Sequence, residues 1–275
     1  MVDVLNYALL AFLVIEAGQM VLFLISCIIK NPTMVDLGWA IMHFVVGCFA
    51  ISQNKNAEYN YYKVFTHPKP LIGFIMIAIW VLRLGGFIFY YRIWRSHSDP
   101  RYKMLAKSRR INETLYSLFQ FIFQGVMILI TSTPLFYLFN EWYYQTLYVN
   151  HYIAILICIL ALFCEAQADN QLQSYKDDHD LTKPRVFRGG WFKHARHPNL
   201  FFELTFWFGI ACYAFNYNEL YSLLAFIGPL VLFFIMTFLT VPVTTNYMLK
   251  SRDNYEEVIK ETNMYWPFCK GINTT

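Results

Sequence analysis

Residues 5–29 read LNYALLAFLVIEAGQMVLFLISCII, an apolar run interrupted by only a few polar side chains. A helix rises about 1.5 Å per residue, so about 20 apolar residues cross the ~30 Å hydrocarbon core of a bilayer. This stretch therefore predicts a membrane-spanning helix. No basic residue precedes it and it is too long for the core of a signal peptide, so we expect it to be retained.

Six further apolar segments follow along the chain. They cover residues 34–52, 71–91, 115–139, 151–168, 200–215 and 220–242, of which 200–215 is the shortest. Together with 5–29 they predict an all-α integral membrane protein with about seven transmembrane helices in one bundle. We expect residues 1–275 to form a single transmembrane domain.

The composition excludes several other classes of protein. Apolar residues make up 57% of the chain and charged residues 15%, against roughly 25% charged residues in soluble domains. A soluble Rossmann enzyme, a disordered chain and a collagen-like chain are excluded. A net charge of +4, with no basic run longer than Arg109-Arg110, predicts no nucleic-acid partner. Six scattered cysteines, most of them in apolar segments, predict small buried side chains and no metal site.

Basic residues are distributed unequally between the two ends of the predicted helices. Of the 22 Lys and Arg residues, 18 lie in one set of alternate loops, only Lys55, Lys63 and Lys69 lie in the other set, and Arg83 lies inside the third predicted helix. The positive-inside rule places the basic loops in the cytosol or matrix. Seven helices then put the N-terminus outside, the C-terminus inside, and the long loops 92–114 and 169–199 inside. The endoplasmic reticulum and the mitochondrial inner membrane both fit this orientation.

The second inside loop carries the residues that indicate chemistry. Asn199 and Glu203 are four residues apart, so they share one face of a helix. An ionisable side chain such as Glu203 is costly inside an apolar segment and is by default functional. Arg196, His197 and Lys176 lie at the inside edge of the neighbouring helices, where cations and a helix N-terminus predict binding of an anionic ligand.

The motifs around this loop resemble the steroid 5-alpha-reductase C-terminal-like family of multi-span membrane reductases. Members look like AD-x-QL followed by GG/GLW…RHPNY…E…W. The chain matches this pattern at Asp169, Gln171, Leu172, Gly189, Gly190, Trp191, Arg196, His197, Pro198, Asn199, Glu203 and Trp207. Residues 31–39, 82–102 and 255–267 resemble three further motifs of the family, written S-x-VD-x-xW, LR-L…R…D-x-RY and Y-x-x-Y…T…P. The resemblance therefore covers most of the chain, in order.

The resemblance implies a seven-helix bundle that holds NADP(H) in a pocket open to the inside. Members transfer hydride to a carbon–carbon double bond, so the implied partners are a steroid-like or other lipid substrate and the surrounding bilayer lipids. The implied catalytic residues are Glu203 and Asn199. The implied cofactor-binding residues are Arg83, Arg92, Arg95, Asp169, Lys176, Arg196, His197 and Asn199. Phosphates require several such cations, and the absence of GxGxxG excludes a Rossmann turn.

Three positions depart from the family pattern and leave other functions open. Phe202 replaces a glycine, where a side chain would intrude on a bound cofactor unless it faces lipid. Trp80 stands near a tyrosine of the steroid enzymes, and Thr245 stands where many relatives carry glutamate. One alternative is a catalytically silent relative that has lost the cofactor and serves as an accessory subunit of a larger membrane complex. The other is an S-adenosylmethionine-dependent membrane methyltransferase, because those enzymes share a related RHP…E motif.

Overall fold

The predicted all-α class agrees with the structure, a computed structural model that describes residues 2–53, 67–95, 98–140, 147–178, 186–217 and 219–269. Most of these residues are helical, and no β-strand occurs among them. Six helices within these ranges are long and apolar enough to cross a membrane, in agreement with the predicted membrane class. They are Asn6–Ile29, Met34–Ser52, Pro68–Trp94, Glu113–Thr131, Val149–Asp177 and Leu220–Ser251.

The α-helices of the described residues follow one another along the chain in this order. The first are α1 (Val2–Ile29), α2 (Met34–Ser52), α3 (Pro68–Ile88), α4 (Pro100–Arg109), α5 (Glu113–Thr131) and α6 (Thr133–Asn140). The remainder are α7 (Val149–Asp177), α8 (Pro198–Ala214), α9 (Ile227–Ile235), α10 (Val241–Ser251) and α11 (Tyr255–Glu261). A π-helical turn over Phe89–Trp94 extends α3. A 3₁₀-helix over Leu220–Phe226 and a π-helical turn over Met236–Thr240 join α9 to its neighbours in one long span.

Two predicted segments differ in detail from the helices of the structure. The predicted span 115–139 divides into α5 and α6 near Ser132, two residues before Pro134, which has no backbone N–H to continue a helical ladder. The predicted span 200–215 is α8, whose 17 residues extend about 25 Å. That is shorter than a ~30 Å hydrocarbon core, so a seventh span and the orientation of the termini stay predictions.

The predicted inside loop 92–114 contains a helix, α4. Asp99 occupies its N-cap, where the carboxylate accepts a hydrogen bond from the backbone N–H of Arg101, and Pro100 takes the first helical position. An acidic N-cap followed by proline is a favourable start for a helix. Arg110 ends α4 in the left-handed conformation, with φ of 54°.

The chain forms two compact units. Unit 1 consists of Met1–Tyr152 and Ile210–Val231. In this unit α1 packs against α2 and α5, and Ile15, Trp80 and Phe121 are fully buried. Gly125 of α5 faces Glu16 of α1, and a Cβ atom at that position would lie 2.2 Å from a carboxylate oxygen of Glu16, so that side chain would have to move.

Unit 2 consists of Ile153–Gly209 and Leu232–Thr275, and its core lies where α7 packs on α8. Phe206 and Trp207 are buried, and the Cys158 thiol lies 3.6 Å from the carbonyl oxygen of Phe206. Cys158 is the one fully buried cysteine in the described chain. Three others are exposed at the protein surface, so the prediction of buried cysteines is wrong for Cys27, Cys48 and Cys269.

Candidate functional site

In unit 2, the two halves of the predicted motif meet at the polar ends of α7 and α8. The Asn199 side-chain N–H donates to the Asp169 carboxylate, with 3.2 Å between Nδ2 and Oδ1. Asp169 and Glu203 are each only 8% exposed. Asn199 and Glu203 both lie on α8, one turn apart, as their spacing predicts. A buried carboxylate, an amide and a second buried acid are therefore gathered at one end of two apolar helices.

The glycine-tryptophan loop is fixed to α7 by two glutamines. Gln171 Oε1 accepts a hydrogen bond from the backbone N–H of Trp191 at 3.0 Å, and Gln167 Oε1 accepts one from the Trp191 indole at 3.2 Å. Gly190 has φ of 52°, and a Cβ atom there would lie 2.1 Å from Gln171 Oε1. The conformation thus requires glycine. Gln167 was not among the predicted residues, although it lies one turn before Gln171 on the same helix.

Arg196 makes its contacts with the C-terminal part of the chain. Its Nη1 donates to the carbonyl oxygens of Ile259 at 3.0 Å and Thr262 at 2.8 Å. The backbone of the loop before α8 also pairs with Asn263. The Arg196 N–H donates to the Asn263 carbonyl oxygen, and the Asn263 N–H donates to the His194 carbonyl oxygen. Burial lowers the pKa of Arg196, while the nearby Tyr255 raises it. We refer to residues 259–264, held in this way, as the C-terminal strap.

The other residues of unit 2 that the sequence analysis singled out lie at different positions around the Asp169–Asn199 pair. His197 is buried directly before the first residue of α8, and its backbone N–H donates to Met264 O at 3.1 Å. Lys176 lies exposed in the last turn of α7. Phe202 is buried against Trp191, with ring centroids 4.9 Å apart, so it faces protein rather than lipid.

In unit 1, a buried ion cluster joins the two motifs at residues 31–39 and 82–102. Asp99 is 5% exposed and accepts hydrogen bonds from Arg92 at 2.9 Å and Arg101 at 2.6 Å. The Thr33 hydroxyl accepts from the Asp99 backbone N–H at 3.0 Å, and the Tyr102 hydroxyl donates to Asp36 at 2.5 Å. This cluster fixes the start of α4 to the start of α2.

Electrostatics keep the cluster charged. Burial raises the pKa of Asp99, but the hydrogen bonds and charges of Arg101 and Arg92 outweigh burial and hold the pKa well below its usual range. Burial lowers the pKa of Arg101, whereas its hydrogen bonds with Asp99 raise it more strongly, so the net shift is upward. The Arg92 guanidinium, predicted to bind a cofactor, is thus engaged by the chain's own carboxylate.

The two remaining predicted arginines belong to unit 1 as well. Arg95 is exposed, and its guanidinium carbon lies 5.0 Å from the ring centroid of Tyr90 and 5.1 Å from that of Tyr91. These distances are typical of cation–π contacts. Arg83 is half-buried on α3. Among the described residues, no three His, Cys, Asp or Glu side chains form a group that could hold a metal ion.

The side chains gathered in unit 2 offer both hydrogen-bond donors and acceptors. A carboxylate–amide pair such as Asp169 and Asn199 can bind hydroxyl and carboxamide groups, because it offers both acceptors and donors. Phosphate oxygens require cations. Lys176 is exposed at the end of α7, and Arg196 Nη1 donates to two backbone carbonyls.

Comparison with known proteins gives one match. A family model described as "Protein of unknown function (DUF1295)" matches residues 22–262. No curated protein and no solved structure matches the chain.

Proposed function

The chain belongs to the DUF1295 family, and we propose that it is a membrane-embedded, NADP(H)-dependent reductase of a carbon–carbon double bond in a steroid-like or other lipid. The contact between Asp169 and Asn199, which lie 30 residues apart, is the observation that carries this proposal. It unites the AD-x-QL and RHPN motifs that resemble the steroid 5-alpha-reductase C-terminal-like family. The proposal uses the residues of unit 2 alone.

Asp169, Asn199 and Glu203 each have a chemical role in this proposal. When bound, the reduced nicotinamide supplies a hydride. Asn199 orients the nicotinamide carboxamide through its amide, and Asp169 holds the Asn199 side chain in place. Glu203 is buried one turn beyond Asn199 on α8. It delivers the proton to the carbon that does not receive the hydride, so the double bond gains both atoms of hydrogen.

Binding of NADPH to the purified protein in nanodiscs tests the proposal. We expect wild-type protein to bind NADPH, with the change in nicotinamide fluorescence as the measurement. Asn199→Ala should weaken binding by roughly 2- to 12-fold, because a hydrogen bond between two neutral amide groups contributes about 0.5–1.5 kcal/mol. Gln173→Ala is the matched control, since Gln173 is on the same helix as Asp169 and its side chain donates a hydrogen bond to the exposed Asp177. Unchanged NADPH affinity in Asn199→Ala would overturn the assignment.

One observation favours a second function, that of a catalytically silent subunit in a larger membrane complex. Two predicted phosphate-binding cations, Arg92 and Arg196, are engaged by Asp99 and by the C-terminal strap. Absence of NADPH binding, together with elution in mild detergent as part of a larger assembly, is the expected result for that function. Binding of S-adenosylmethionine in place of NADPH would instead support the methyltransferase.

A further inference from the structure

A cleft in unit 1 lies at the end of α3 opposite to the Asp99 cluster. Its volume is about 510 Å³, and it is lined by Tyr148, Val149, Asn150, Asn216 and Tyr217. Sites for small molecules commonly measure ~300–1,000 Å³ and combine apolar or aromatic walls with a few polar groups. The cleft has that composition, and it takes no part in the proposed reductase site.

The amide of Asn150 has unmet hydrogen-bonding capacity. Neither its Oδ1 nor its Nδ2 has a hydrogen-bond partner in the described chain, although both atoms are buried. Leaving buried polar atoms without partners is costly. A ligand that satisfies this amide must both donate and accept a hydrogen bond. Hydroxyl groups do both, whereas ionised phosphate oxygens only accept.

The neighbouring His151 has an unmet donor. Its side chain is 1% exposed, and Nδ1 accepts a hydrogen bond from the Tyr148 backbone N–H at 3.0 Å. A neutral imidazole whose Nδ1 accepts carries its proton on Nε2. That Nε2 is buried and has no partner within the described ranges. The ring packs against Tyr148, which lines the cleft, with centroids 6.0 Å apart. A second hydrogen-bonding group without a partner therefore lies directly behind the cleft wall.

The charges beside the cleft cancel. Lys69 is 1% exposed and lies within electrostatic reach of Glu219 and His151. Its carbonyl oxygen accepts a hydrogen bond from the Tyr213 hydroxyl at 2.8 Å, and Glu219 accepts one from the Tyr221 hydroxyl. Among the described residues, one ammonium and one carboxylate leave no net charge beside the neutral imidazole. Such surroundings favour a neutral ligand over an anion.

We propose that this cleft binds a neutral polyhydroxylated group, namely the sugar headgroup of a glycolipid or the same sugar free in solution. The first turn of α7 begins a membrane-spanning helix, so the cleft lies at the depth of lipid headgroups. Tyr148 and Tyr217 supply flat apolar faces, while Asn150 supplies a donor and an acceptor for vicinal hydroxyls. This site is independent of NADP(H).

Thermal unfolding in nanodiscs tests the site. The protein is purified in a detergent that contains no sugar and placed in phosphatidylcholine discs. Separate samples also receive glucosyl or galactosyl diacylglycerol, phosphatidic acid, or free glucose and galactose in solution. We expect the sugar-bearing probes to raise the unfolding midpoint by roughly 3 °C or more. A response only to the glycolipids identifies the headgroup as the source, and a response to the free sugars identifies a soluble ligand.

Variants separate binding from stability. Asn150→Leu removes an amide without partners, so it should raise the midpoint of the ligand-free protein and abolish the sugar-dependent shift. Tyr217→Ala should abolish the shift as well, whereas Tyr152→Ala, an exposed tyrosine outside the cleft, should retain it. The proposal is overturned by no shift with any sugar-bearing probe, by an equal shift in Asn150→Leu, or by an equal or larger shift with phosphatidic acid.

Discussion

Asp99 is a buried carboxylate whose hydrogen bonds reach three elements of unit 1. It caps α4 through the backbone N–H of Arg101, binds Arg92 at the end of the π-helical turn, and donates its own backbone N–H to Thr33 before α2. Removing the charge of one member of a buried ion pair leaves the others uncompensated. The stability of unit 1 should therefore be sensitive to this single side chain.

We expect Asp99→Asn to lower the free energy of unfolding by about 3–5 kcal/mol, because two guanidinium groups lose their counter-charge. The midpoint of chemical unfolding in detergent at neutral pH measures this change. Asp253→Asn is the control, since Asp253 is exposed. A midpoint for Asp99→Asn within error of that control would contradict the structural role of the cluster.

The same cluster predicts a pH dependence. Because the folded-state pKa of Asp99 is depressed, its contribution to stability is fully present above the unfolded value of about 3.9. That contribution is lost as pH falls from there through the folded-state pKa. The difference in unfolding midpoint between wild type and Asp99→Asn should therefore be constant near neutral pH and shrink below about pH 4.

At the scale of elements, the C-terminal strap holds the loop that precedes α8. Arg196 reaches two carbonyl oxygens of the strap, and the backbones of the loop and the strap pair at Asn263. The strap contains Ile259 and Thr262, and the segment just beyond it includes Tyr265, whose hydroxyl lies 3.1 Å from that of Thr237. The position of the RHPN motif thus depends on residues far along the chain.

Arg196→Ala should release the strap, because two carbonyl oxygens lose a charged donor worth about 1.5–3 kcal/mol in total. Limited proteolysis, followed by mass spectrometry of the fragments, should show faster cleavage between residues 252 and 264. Lys193→Ala serves as the control, since Lys193 is exposed in the same loop. Cleavage at the wild-type rate in Arg196→Ala would show that the backbone pairing alone holds the strap.

The elements differ in how far the sequence could predict them. The long apolar helices could be predicted, because a bilayer demands uninterrupted apolar length. The helix α4 could have been predicted from Asp99-Pro100, an N-cap signal that the high local charge obscured. The motifs predict that Asp169 and Asn199 belong to one site, but not that their side chains form a hydrogen bond. The partners of Arg196 could not be predicted, because they are backbone carbonyls 63 and 66 residues away and carry no side-chain signature.

For the whole molecule, the membrane topology depends on whether α8 spans the bilayer. Its 17 residues are fewer than the other candidate spans contain, whereas the unequal distribution of basic residues predicts that it crosses. If α8 spans the membrane, residues 188 and 217 lie on opposite sides, and residue 188 lies on the basic, inside face. If α8 does not span, both residues lie on the same side.

Single-cysteine labelling distinguishes these topologies. Arg188→Cys and Tyr217→Cys, each in a cysteine-free background, present exposed positions on either side of α8. In sealed, oriented vesicles we expect a membrane-impermeant maleimide added from the predicted outside to label residue 217 but not residue 188. Permeabilised vesicles, in which both positions should react, provide the control. Labelling of both positions from one side would refute the seven-span topology.

The pairing of the strap with the loop before α8 also constrains biosynthesis. The chain is made from its N-terminus, so Arg196 leaves the ribosome well before its acceptors, which follow 63 and 66 residues later. The helices α8, α9 and α10 lie between them in the sequence and are synthesised first. Until residues 259–262 have been synthesised, Arg196 lacks its two carbonyl acceptors. During this time the loop before α8 is accessible to chaperones and quality-control proteases. The proposed reductase site is therefore among the last parts of the molecule to mature.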